Sequence, residues 1–188
     1  LKELGRLDEA EASYTQAIVL KPGFAEANFN KSIAHLLLSD FEAGWPAYEW
    51  RFLGKITATA QPRKHLAWDG KQSLEGKRFL IYDEQGLGDV IQFCRYLSIL
   101  QKNAQVTFKL TPKLHALITN IDSDISLSST LLEESEIDFE APLMSLPFLM
   151  GTAIDTIPAP SPYLFADEGK VKVWQKNLHN DKFKIGIC

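Results

Sequence analysis

Hydrophobic and polar positions change period along this chain, and the changes divide it. "RFLIY" (78–82) is a short run of apolar, β-prone residues, and "AQVTFKL" (104–110) is a second strand-like run. Between them, "DVIQFCRYLSIL" (89–100) sets Val90, Phe93, Leu97 and Leu100 at helical spacing. Strand, helix and strand in that order predict a βαβ unit, and such a unit implies a parallel sheet. The pattern then predicts a helix over 112–119, short strands over 125–127 and 137–141, a helix over 171–178 and a strand at "FKIGI" (183–187). Proline-rich residues 142–162 read as loop with one short helix. An α/β domain is therefore expected over 77–188. Residues 1–53 instead carry helical spacing throughout, with helices predicted over 24–37 and 41–52. The second sets Phe41, Trp45, Tyr48 and Phe52 along one face and is expected to kink or start late at Pro46. From 54 to 76, glycine, proline and charged residues break any period, so this stretch reads as a linker packed by isolated apolar residues such as Trp68.

The helical segment repeats itself. With "GRLDEAEASY" (5–14) set over "SDFEAGWPAY" (39–48), an offset of 39 − 5 = 34, Leu7 faces Phe41, Asp8 faces Glu42, Ala10 faces Gly44 and Tyr14 faces Tyr48. That offset resembles the tetratricopeptide (TPR) period. Gly5, Ala10, Tyr14, Ala17 and Pro22 fit the second half of such a repeat, in which small residues allow close helix approach and proline ends the second helix. About one and a half repeats are expected in 1–53. The cluster of Trp45, Tyr48 and Trp50 reads as packing against the following domain, with ligand stacking as the alternative.

Composition narrows the classes of function. The 188 residues are 45% hydrophobic, with a formal charge of −4 and a pI near 5.6. They hold no dense lysine and arginine cluster, which argues against a nucleic-acid partner. Cys94 and Cys188 make neither a disulfide framework nor a metal-ligand spacing, and read as reduced thiols of a cytoplasmic protein. No apolar run is long enough for a transmembrane segment. His35, His65, His115 and His179 are scattered and receive no chemistry, and no metal is expected.

The candidate site is the stretch "EQGLGDV" (84–90), where a predicted strand must turn sharply into a helix. Gly86 and Gly88 there allow unusual backbone angles and close approach of a ligand. Asp89 has two readings: an N-cap of the helix that follows, or a general base at the carboxyl end of a parallel strand. A dinucleotide fits poorly, because Ile91 occupies the third glycine position of the fingerprint, and the Gly-Lys-Ser/Thr of a P-loop is absent.

"GWPAYEWRF" (44–52), "WDG" (68–70), "LEGK" (74–77), "DEQGLGDVIQFCRYL" (83–97), "SLP" (145–147) and the terminal "KIGIC" together resemble bacterial TPR-linked glycosyltransferases, similar to heptosyltransferases and more distantly to O-GlcNAc transferases. The resemblance implies a GT-B fold of two Rossmann-like halves, with this chain holding the acceptor-side half and 183–188 starting the other. It implies an inverting, metal-independent transfer from a nucleotide-sugar donor to an acceptor hydroxyl, with no cofactor. In that family's pattern Asp89 is the base, Gln85, Gly86, Leu87 and Gly88 contact substrate, and Asn30 matches an asparagine that lines a peptide-binding groove. The residues after Asn30 depart from that pattern, being Lys31-Ser32. Donor binding on the other half implies that these residues alone are inactive. The alternative is a TPR-type protein-interaction module with a vestigial catalytic fold.

Overall fold

The computed structural model describes residues 1–53, 61–119, 121 and 124–178. Three helices open the chain: α1 (Leu7–Leu20), α2 (Ala25–Leu37) and α3 (Phe41–Tyr48), with α1 packed on α2 and α2 on α3. The α2–α3 contact depends on Gly44, where an added Cβ would sit 2.6 Å from Leu36 Cδ2 and 3.2 Å from the Leu36 backbone nitrogen. A Gly44→Ala change is therefore expected to force α2 and α3 apart at a loss of about 1–3 kcal/mol, the usual range for overpacking, read as a lower urea midpoint. Asp40 caps α3 by accepting the Ala43 amide at 3.2 Å. The helix includes Pro46 and gives way after Tyr48 to a 3₁₀ turn over Glu49–Phe52, so the expected 41–52 helix is two pieces.

The second part is α/β, consistent with a Rossmann-like domain. Four strands, β1 (Lys77–Tyr82), β2 (Ala104–Lys109), β3 (Ser126–Ser128) and β4 (Phe139–Pro142), form an all-parallel sheet in the order β3-β2-β1-β4. The apolar run of β1 suits this central place. Phe79 and Ile81 pack with Val106 and Phe108 of β2 into the main core, while Leu80 joins Leu66 and Ile137 in a smaller cluster. Full burial of such side chains contributes roughly 1.5–3 kcal/mol each. The helix expected over 89–100 is divided into α4 (Leu87–Phe93), a 3₁₀ turn and α5 (Leu97–Leu100), yet Val90, Cys94, Leu97 and Leu100 all enter the core. Then come α6 (Pro112–Ile118), α7 (Leu146–Leu149) and α8 (Glu168–Asn177), the last with no buried residue. β3 and β4 lie one to two residues beyond their expected starts, and the strand expected at 183–187 lies outside the described residues, as does Cys188.

Residues 61–76 are less of a linker than their composition suggests. Leu66 and Trp68 bond the backbone of Glu140 (Glu140 N to Leu66 O 2.8 Å, Trp68 N to Glu140 O 3.1 Å), and Ala67 bridges it in parallel. The Arg63 guanidinium grips the buried Glu140 carboxylate, with Nε at 2.9 Å. The chain thus lies along the outer side of β4.

Cys94 is fully buried, and burial pushes its thiol up to about 12. Native protein at pH 8 is expected to leave Cys94 unmodified by iodoacetamide, with modification on denaturation, as read by peptide mass spectrometry.

Candidate functional site

In a parallel sheet whose strand order reverses, the crevice lies outside the carboxyl ends of the strands at the reversal, here β1 and β4. The chain leaves β1 as Asp83-Glu84-Gln85 and β4 as Leu143-Met144-Ser145. Into the space between them comes Arg51, from the 3₁₀ turn after α3, with no exposed side-chain surface. Its Nε and Nη2 bind Glu84 Oε2 and Oε1 at 3.0 and 2.8 Å, and Nη2 also donates to Ser145 Oγ at 2.7 Å. Glu84 Oε1 further accepts the Met144 amide at 2.9 Å. The Ser145 hydroxyl donates to Glu49, at 2.9 Å to Oε2, and Glu49 also pairs with Arg51. Burial alone would lower the Arg51 pKa, but Glu84 and Glu49 outweigh it and hold the guanidinium above its ordinary value. The innermost crevice is therefore filled by the protein's own charged groups.

Just outside it lies the loop singled out in the sequence. Gln85, not a glycine, takes the left-handed conformation, at φ 62°. Its side-chain amide donates to the Tyr48 hydroxyl at 2.6 Å. Gly86 has an extended backbone that any residue can adopt, but a Cβ there would sit 3.0 Å from Asp89 Oδ2, whereas a Cβ on Gly88 would meet nothing within 4 Å, so crowding bears on Gly86 and not on Gly88. Gln85, Gly86, Leu87 and Gly88 are all exposed. Asp89 is not the N-cap. Helix α4 begins at Leu87 with Gly86 as its cap residue, and Asp89, in the third helical position, reaches back to accept the Gly86 amide on Oδ2 at 2.9 Å. This is the reciprocal half of a capping box, the other half being unavailable to a glycine. Asp89 is half-buried, and its Oδ1 has no protein partner among the described residues.

The neighbouring Asp83 is fully engaged, by Lys109 Nζ and the Thr111 amide, each at 2.7 Å. Asn30 spends its amide on its own helix, donating to Glu26 O at 2.8 Å. Trp45 meets Phe93 of α4 edge-on, with ring centroids 6.0 Å apart, so with Tyr48 it joins the helices to the α/β part. Trp50 is half-buried. His35 pairs with Asp40, His65 with Glu134 and His115 with the Leu110 carbonyl, all away from the loop, and His179 lies outside the described residues. Among the described residues no cluster of histidine, cysteine and acidic side chains suits a metal, and no helix is long and apolar enough to cross a membrane.

Among the described residues, hollows accompany this site without containing it. An apolar groove of about 290 Å³ between the helices and α4 is lined by Ile33, Leu36, Phe41, Trp45 and Phe93 among others. A polar hollow of about 530 Å³ lies by the amino ends of β1 and β2, around Arg78 and Ala104.

Arg51, Glu49, Glu84 and Ser145 have no role in the sequence-based expectation, although "YEWR", "DEQG" and "SLP" carry them. The available signal was a charge set among aromatic residues, Arg51 between Trp50 and Phe52, and an acid directly following an apolar strand.

No family model matches the chain, and no solved structure matches it. It is similar to Protein FlbA of Caulobacter vibrioides, at 26% identity over 205 aligned residues that take in 94% of this chain. The chain spans about a third (33%) of the length of that curated relative.

Proposed function

We propose that this chain is the acceptor-side portion of a glycosyltransferase that moves a sugar from a nucleotide-sugar donor to an acceptor hydroxyl, and that its helices are TPR helices. Asp89 carries the reading. It stands in the first turn of α4, just past the carboxyl end of β1, half-buried beside the exposed Gln85–Gly88 stretch, with one carboxylate oxygen fixed by Gly86 and the other unpartnered among the described residues. A base for hydroxyl attack needs that combination of a held orientation and a free lone pair. Gln85 to Gly88 lie beside it as substrate contacts, and donor binding and stabilisation of the leaving diphosphate fall to a second half. The 34-residue offset and the close α2–α3 approach at Gly44 support the TPR assignment.

One observation favours a second reading, an interaction module with a vestigial catalytic fold: the innermost crevice is filled by Arg51 and Glu84. The two readings separate when the full-length protein is incubated with UDP-, GDP-, ADP- and CMP-linked sugars and a cell extract as acceptor. Donor-dependent release of nucleotide with label transferred to acceptor is the expected result. Neither binding by calorimetry nor release with any donor would leave the interaction module.

A further inference from the structure

We infer that Tyr48 and Arg51 are positioning residues for the Gln85–Gly88 loop, so that the helical segment sets the geometry of the site. This rests on the catalytic reading of Asp89 given above. Gln85 holds a left-handed backbone that side-chain-bearing residues seldom adopt, and nothing in its residue type favours it there. What holds it comes from one turn of the helical segment. Tyr48, three residues before Arg51, accepts the Gln85 side-chain amide at 2.6 Å, and Arg51 grips the preceding residue, Glu84, through two nitrogens. Glu84 is in turn pinned by the Met144 amide, so the chain is fixed just before the turn and at it. The next amide, from Gly86, is the donor that Asp89 accepts. Orientation therefore passes from Tyr48 and Arg51 through Glu84 and Gln85 to Gly86, and from Gly86 to the Asp89 carboxylate.

The roles of the two residues differ. Arg51 fills a buried space and pairs a buried acid, so any replacement disturbs the fold. Tyr48 packs its ring against Phe29, at 5.3 Å between centroids, and under Arg51, and its hydroxyl oxygen makes the hydrogen bond to the loop. Burial raises the Tyr48 pKa while the Gln85 amide and Arg51 oppose the rise, so the acceptor is a neutral hydroxyl. Tyr48→Phe removes that oxygen alone and leaves an exposed Gln85 side chain free to turn to water.

Hydrogen–deuterium exchange of the full-length Tyr48→Phe protein tests the inference. The amides of Gly86, held by Asp89, and of Val90, held by the Gly86 carbonyl, are expected to exchange about 3- to 10-fold faster, the equivalent of one net hydrogen bond, while those of Phe79 to Ile81 keep their wild-type rates. Adding Gln85→Asn, a residue more tolerant of the left-handed region, should return part of the protection without restoring the contact to Tyr48. With a donor that the wild type turns over, kcat should fall in Tyr48→Phe with the donor KM unchanged, a split that mere loss of stability would not produce. Unchanged loop exchange overturns the inference, and so does equal acceleration in the loop and in β1. Absence of turnover in the wild type overturns the glycosyltransferase reading instead, and the exchange result still decides whether Tyr48 holds the loop.

Discussion

Arg51→Met should lower stability by about 3–5 kcal/mol, the range for removing one partner from a buried ion pair. Methionine keeps an apolar stem beside Tyr48 and Phe52 but leaves Glu84 sealed from water with a negative charge and, among the described residues, only the Met144 amide to solvate it. The double change Arg51→Met with Glu84→Gln should recover more than half of the loss, because a neutral amide still accepts from Met144 and carries no charge into the crevice. Urea denaturation of the three proteins measures both effects. A single variant within about 1 kcal/mol of wild type would mean that water reaches Glu84 and that the crevice is open.

The second large effect is on turnover. Asp89→Asn retains an oxygen to accept the Gly86 amide and loses only a negative charge near the start of α4, so its stability should stay within about 1 kcal/mol of wild type. If the unpartnered oxygen takes the acceptor's proton, turnover in the full-length protein should nevertheless fall about 10²- to 10⁴-fold with donor affinity little altered, as measured by initial rates and calorimetry. A folded Asp89→Asn protein at full rate would reduce Asp89 to its bond with Gly86.

These expectations lean on features of unequal legibility. The strand–turn–helix course around residue 86 was readable because the apolar run of β1 and the helical spacing of Val90, Leu97 and Leu100 are local signals. The parallel sheet followed from it through the βαβ rule. The position of Asp89 was misread by three places, since a glycine cap leaves no side-chain signature and α4 starts two residues earlier than its first acid. The left-handed residue was expected at a glycine and fell on Gln85, whose partner Tyr48 is 37 positions away. Arg51 was the least legible, because its partners Glu84 and Ser145 lie 33 and 94 positions along the chain and meet only once β1 and β4 are side by side. Local pattern shows where a chain bends, and it is silent on which distant charge fills the bend.

The course of residues 63–68 along β4 has a practical meaning for cutting the protein. A boundary drawn from composition would fall just before Lys77, at the first strand. A chain trimmed to begin there would strip the two backbone bonds to Glu140, uncover the open side of β4 and leave the Glu140 carboxylate without Arg63. An uncovered strand of this kind recruits another copy, so such a piece is expected to aggregate on expression. The α/β part should be started no later than residue 61, and with Arg51 filling the crevice it is best produced together with the helices.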